Sequence, residues 1–142
     1  MLYTETPEIF NPKFEAVGCF VEYEGKIILL LRQDHKRQPN TYWIPGGGIE
    51  HWETSDQAIQ REVFEETGLM LDDIKYFKKT YVKYPNYDYI YHIYHKKLEE
   101  KPKIIINPEE HKEYVWKTPK EALQENFIQD LDVCIRMFYN LL

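Results

Sequence analysis

Sulfur, positive charge and uninterrupted apolar runs are all scarce in this sequence. There are two cysteines, Cys19 and Cys134, far apart and each set among apolar neighbours. They read as free, buried thiols in a reducing compartment. Lysine and arginine number 18 against 24 acidic residues, a formal net charge of −6. That balance counts against a grip on nucleic acid through a broad basic surface. A small anionic ligand stays open, because a bound divalent cation inverts the local field. No apolar run approaches the ~18 residues that span a bilayer, so no membrane partner is expected. The opening MLYTETPEIFNPKF lacks a basic stretch followed by an apolar one, so it is not a signal peptide, and a cytoplasmic location is expected. Glycine is sparse too, six residues in all, yet three stand together at Gly46, Gly47 and Gly48.

What is present fits one globular domain over residues 1–142. Hydrophobic residues make up 43% and aromatic ones 15%, with 12 Tyr and 3 Trp. Such aromatics suit strands, and they suit a site that stacks a planar ligand. Residues 1–13, with Pro7 and Pro12, read as an extended arm. Ala16 to Tyr23 and Lys26 to Leu31 form a hairpin about Glu24-Gly25, and Gln33 to Thr41 is a polar loop. Tyr42-Trp43-Ile44 is a short strand stopped by Pro45 and the glycines, which are read as a loop. Ile74 to Tyr84 and Tyr87 to Leu98 make a long hairpin about Pro85-Asn86. Strands are expected at Lys103 to Asn107 and Glu113 to Lys117, with a polar loop between. A short helix follows over Lys120 to Glu125, led by Pro119. Apolar residues at 128, 131, 135, 138 and 142 predict a C-terminal helix over Phe127 to Leu142. The order of elements predicts an α/β fold, a mixed sheet with helices on both faces.

One further stretch carries the chemistry. From Thr54, which with Gln57 forms a capping box, a helix of about three turns runs to a stop at Gly68. Ala58, Ile59 and Val63 can face a core. Glu62, Glu65 and Glu66 stand at i, i+3 and i+4 and share one helical face. Like charges so placed repel, so the stripe either faces open water or holds a cation. Hard divalent cations take oxygen ligands, and three carboxylates on one turn supply them. The planar fork of Arg61 is suited to fixing the direction of a carboxylate.

Gly47, then five residues to Glu53, seven more to Arg61-Glu62, then Val63, Glu65-Glu66, Gly68 and Leu69 match a known signature without a gap. In this the chain resembles the Nudix hydrolases, the MutT-like pyrophosphohydrolases, with residues 47–69 as the Nudix box. The resemblance implies the Nudix fold, an α/β/α sandwich with a mixed β-sheet. It implies hydrolysis of a phosphoanhydride in a nucleoside diphosphate linked to another moiety, with Mg²⁺ as cofactor and Mn²⁺ as a substitute. Glu62, Glu65 and Glu66 match the metal-binding glutamates, the backbone carbonyl of Gly46 matches a further ligand, and Glu53 matches the supporting glutamate, with Arg61 as its partner. The metal would neutralise the diphosphate and lower the pKa of an attacking water. Glu62, or a loop acid among Glu109, Glu110 and Glu113 with Glu110 favoured, would accept the proton. Trp52 stands where many members carry glycine, which puts the shape of the loop in question.

Around this core, Arg32 is a candidate for gripping phosphate, and Trp43, Tyr81, Tyr84, Tyr87 and Tyr89 for stacking a base. His35, Lys36 and Arg37 are candidates for added positive field or a merely solvated loop. Pro85 and Tyr87 both fall in the window past the box that marks ADP-ribose and dinucleoside polyphosphate subgroups respectively, so that marker points both ways. Compact size, with no N-terminal dimerisation domain, favours a (d)NTP giving NMP and pyrophosphate. The alternatives are an ADP-ribose, nucleotide-sugar or dinucleoside polyphosphate pyrophosphatase, an RNA 5′-end pyrophosphohydrolase, and a non-catalytic Nudix-fold nucleotide-binding domain. The expected partner is a small-molecule nucleotide, the chain acting as monomer or homodimer.

Overall fold

A computed structural model describes residues 1–141. Strand β1 (Leu2–Tyr3) is short, and β2 (Pro12–Tyr23) and β3 (Lys26–Arg32) form the expected hairpin. Glu24 and Gly25 turn between them with φ of 49° and 77°, the left-handed pair that a two-residue hairpin loop requires. β4 (Tyr42–Trp43), β5 (Gly46–Gly48) and helix α1 (Ser55–Thr67) follow. The long hairpin is β6 (Lys75–Lys83) and β7 (Asp88–Leu98), and β8 (His111–Lys117), α2 (Pro119–Ala122) and α3 (Leu131–Phe138) complete the chain.

The sheet is mixed: β2 runs parallel to β7, and the other strand pairs are antiparallel. Side chains alternate across it, as the two-residue period of a strand demands. Val17, Cys19 and Val21 of β2, Ile28 and Leu30 of β3 and Tyr94 of β7 point to the face covered by Ala58, Ile59 and Val63 of α1. Ala16, Phe20, Ile27, Leu29 and Ile93 point to the other face, covered by Leu131, Cys134 and Ile135 of α3 and Ala122 of α2. Both cysteines are free and buried, one in each cluster. The result is an α/β/α sandwich.

One irregularity positions everything that follows. β2 and β3 pair beside their turn, at Tyr23↔Lys26 and Glu22↔Ile27, and then diverge. The opening is filled from both sides: β5 pairs Gly46, Gly47 and Gly48 with Gly18, Val17 and Ala16, and β4 pairs Trp43 and Tyr42 with Leu30 and Leu31. The three glycines are thus a strand rather than the loop read from sequence. Close approach explains the composition, since a Cβ on Gly46 would lie 2.1 Å from the Val17 carbonyl oxygen.

Other expectations need correction. The N-terminal arm is partly ordered into the sheet, with Leu2 and Tyr3 opposite Val82 and Tyr81, and β2 already under way at Pro12. Lys103 to Asn107 is not a strand. Its apolar Ile104 and Ile106 pack on the α1-side core, and the Ile105 amide donates to the Thr67 carbonyl at 2.9 Å, so the segment is fastened to a helix end instead of a strand. The Pro119 helix ends at Ala122, short of Glu125. The last helix starts at Leu131 because Phe127 bridges to Tyr42 and Ile128 donates to the Tyr42 carbonyl, which holds that stretch extended. Leu142, expected on that helix, lies outside the described residues.

Candidate active site

Helix α1 is held at both ends. The Thr54 hydroxyl accepts from the Gln57 amide at 3.2 Å, and the Gln57 side chain accepts from the Thr54 amide at 2.8 Å. At the other end Gly68 sits at φ 77° and donates to the Phe64 carbonyl, the left-handed stop glycine adopts without penalty. With Ala58, Ile59 and Val63 committed to the core, Glu62 and Glu66 turn toward β5.

The carboxylates are ordered by one guanidinium. Arg61 grips Glu53 with both arms of its fork, Nη2 to Oε1 at 2.6 Å and Nε to Oε2 at 3.1 Å. It also donates to Glu62 Oε1 at 2.9 Å, to Glu65 Oε2 at 3.3 Å and to the Gly48 carbonyl at 3.0 Å. The hydrogen bonds from Arg61 hold the Glu53 carboxyl below the usual range, and Glu53 in turn keeps Arg61 fully protonated. The pairing expected between Arg61 and Glu53 is present.

Glu62 is largely shielded, and burial pushes its pKa to about 7 despite the hydrogen bond from Arg61. It sits against Gly47: a Cβ there would lie 2.5 Å from Glu62 Oε1. Glu66 is only 4% exposed, and its Oε1 accepts from the Gly46 amide at 2.7 Å. Burial raises its pKa well above normal, with the charges of Glu62 and Glu110 adding to the effect. Glu65 is exposed and touches only the rim of this arrangement through Arg61.

The loop before β8 closes on Glu66. One ligand-capable atom each of Glu66, Glu110 and His111 lies within 4.8 Å of the others. His111, part of the polar loop expected before this strand, is not among the ligands that the sequence suggests. It is 2% exposed, and its Nδ1 is buried with no hydrogen-bond partner among the described residues. Burial lowers its pKa to about 4, so the ring is neutral. The signal was faint, since only the pairing of His111 with Arg32 across β3 and β8 brings it here. Buried donors and acceptors are nearly always satisfied, so a buried imidazole with an orphaned nitrogen, grouped with two carboxylates, fits a bound cation. The oxygen-rich donor set suits a hard divalent ion, and Gly47 leaves the Glu62 carboxylate room beside it.

Of the other candidates, Arg32 stands near this centre. Burial lowers its pKa while the charges of Glu66 and Glu110 raise it, and its guanidinium lies 5.7 Å from the Trp43 ring centroid. Arg32 Nε donates to the Arg37 carbonyl at 2.7 Å, and Arg37 covers the Tyr87 ring at 5.8 Å. Arg32, Trp43, Arg37 and Tyr87 therefore form a chain of cations and rings leading away from the carboxylates. Tyr84 packs edge-on to both Tyr87 and Tyr89, which are tilted 32° to each other. Tyr81 stands apart on β6, two strands from β2, in contact with Phe10 and Lys79. Lys36 pairs with Glu110 at 3.8 Å, and Lys112 rather than His35 holds Asp34. Glu113 accepts from the Tyr42 hydroxyl, and Glu109 is exposed with its amide capped by Asn107, so neither joins the cluster. Trp52 is 70% exposed, stacked edge-on to His51, and walls nothing.

A three-layer sandwich whose glycine strand meets a capped, glutamate-bearing helix defines the class. The NUDIX domain profile matches residues 12–138, and this chain belongs to the NUDIX family. It is 31% identical over 112 residues to the CTP pyrophosphohydrolase of Escherichia coli K12, spanning 78% of this chain and 79% of that protein. It is 43% identical over 64 residues to the NAD-capped RNA hydrolase NudC of Haemophilus influenzae, covering 44% of this chain and only 24% of that relative. The chain thus spans about a quarter of the NudC length. Among solved structures, the E. coli ORF135 protein aligns with TM-score 0.74 and 25% identity over 90% of this chain and 89% of its own. Among the described residues no helix is long and apolar enough to cross a membrane.

Proposed function

We propose that this chain is a divalent-cation-dependent pyrophosphohydrolase that cleaves a nucleoside triphosphate to a nucleoside monophosphate and pyrophosphate. The observation that carries this reading is the meeting of Glu110 with the buried Glu66, with Glu62 and Arg32 close enough to act on them electrostatically. The similarity to a CTP pyrophosphohydrolase over most of both chains supports the choice of substrate. A cation such as Mg²⁺ would be held by Glu66 and Glu110 with the other box glutamates, and would supply positive charge to the phosphoanhydride oxygens and acidify water.

The protein's own groups do the rest. Arg61 fixes Glu62 through Oε1, and Oε2 has no hydrogen bond among the described residues, so Glu62 presents one oxygen for proton acceptance. That geometry favours Glu62 over Glu110 as the base, because Glu110 faces Glu66 and His111. Glu53 acts by positioning Arg61. Arg32 binds phosphate oxygens, and Trp43, with Tyr87 further out, offers faces for a base. The apolar pocket beneath Trp43, Tyr91 and Ile128 has about 20 Å³ of space, enough for a water and too little for a base, so stacking takes place above it.

The deciding experiment is a panel of canonical and oxidised (d)NTPs, ADP-ribose, nucleotide sugars, dinucleoside polyphosphates and NAD-capped RNA, assayed with Mg²⁺ or Mn²⁺. Pyrophosphate release from a triphosphate is expected to dominate kcat/KM. Preference for any other member overturns the substrate assignment, and no turnover with any of them overturns catalysis.

A further inference from the structure

The loop leading into β8 brings an unusual donor to the carboxylates. His111 is 2% exposed, has no hydrogen-bond partner for Nδ1 among the described residues, and offers a ring nitrogen within 4.8 Å of carboxylate oxygens on Glu66 and Glu110. A histidine buried for packing alone would normally satisfy that nitrogen, as His92 does here, with Nδ1 on the Tyr76 hydroxyl at 2.9 Å and Nε2 on Glu15 at 2.7 Å. Ligands at about 2.1 Å from one ion lie within roughly 4.2 Å of each other, so the group needs only a slight contraction to share a cation. Glu66 and Glu110 face each other, with Arg32 turned to Trp43 and the Arg37 carbonyl and Lys36 3.8 Å from Glu110.

The geometry points to His111 as a direct metal ligand, completing with Glu66 and Glu110 a nitrogen-bearing site for a first-row transition cation. This rests on the reading of the carboxylate face as a metal centre and adds the donor that sets which metal it prefers. Mg²⁺ takes oxygen almost exclusively, whereas imidazole shifts a site toward Mn²⁺, Co²⁺ or Zn²⁺.

The test uses the full chain loaded with Mn²⁺ and pulsed EPR, which detects nitrogen bonded to the ion independently of turnover. Nitrogen coupling is expected in the wild-type protein and in His35→Gln/His51→Gln, which removes the exposed histidines. It should vanish in His111→Gln, with Mn²⁺ affinity down at least about 10-fold, the loss typical even of groups that only support a ligand. Mg²⁺ affinity should change less. Mn²⁺ bound without nitrogen coupling in the wild type overturns the inference and leaves the metal centre standing. Failure to bind Mn²⁺ at all overturns both. Coupling that survives in folded His111→Gln, or disappears in the double variant, also overturns it. Should His111→Gln not fold, Glu110→Gln replaces it, and wild-type coupling and affinity in that protein count against the site.

Discussion

At the scale of single residues, the two inner glycines of β5 look interchangeable and are not. A Cβ on Gly46 would meet the Val17 carbonyl, which is backbone in the middle of the sheet and cannot retreat. A Cβ on Gly47 would meet the Glu62 carboxylate, the far end of a side chain that can move. Gly46→Ala should therefore lower stability, read as a drop in the urea midpoint. Gly47→Ala should fold and lose activity on the order of 10²-fold, the usual result of displacing a reacting group by about 1 Å. Glu66→Gln makes the complementary case. An amide oxygen can still accept from the Gly46 amide, so Tm should hold while kcat/KM falls at least ~10²-fold through lost negative charge. A variant with near-normal kcat/KM would remove Glu66 from the chemistry.

Helix α1 is the element on which most depends, and its ends were legible in the sequence because capping is local. Thr54, Gln57 and Gly68 act through neighbours within four residues, so composition alone announces them. Thr54→Ala should cost about 1 kcal/mol in chemical denaturation. The pairing of Arg61 with Glu53 was readable only through the family signature, since the loop between them could close in many ways. The glycine strand, the coil at Lys103 to Asn107 and the late start of α3 were illegible for another reason. Each depends on which distant backbone is close enough to pair: Val17 for Gly46, Thr67 for Ile105, Tyr42 for Ile128. His111 belongs with these. Nothing in its immediate neighbours tells a buried ring from a solvated one, and β8 buries it only by pairing with β3.

Across the whole molecule, the site sets stability against charge. Glu62 has its pKa raised to about 7 by burial, and Glu66 is raised too, so both bind protons more readily folded than unfolded. The contribution of Glu62 is fully present below the ordinary carboxylate range and is lost as pH climbs through about 7, and that of Glu66 runs in the same direction. The metal-free protein should accordingly show a higher Tm near pH 5 than near pH 8. Glu53 runs the other way: its lowered pKa adds stability that disappears only in stronger acid. Saturating Mn²⁺ should raise Tm at the higher pH more than at the lower, because it replaces protons that neutral pH removes. Equal shifts at both would separate the ion from these carboxylates.

The fastening of Ile105 to the end of α1 has a use beyond packing. Its amide reaches the Thr67 carbonyl one residue past Glu66, while five residues later the same segment delivers Glu110. That bond can open only if the loop, also packed through Ile104 and Ile106, parts from the helix end, which makes the Ile105 amide a built-in gauge of how firmly the two halves of the site are closed. Deuterium uptake at that position should slow sharply on adding metal and nucleotide. The Glu24-Gly25 turn, on the far side of the hairpin, should exchange at the same rate throughout.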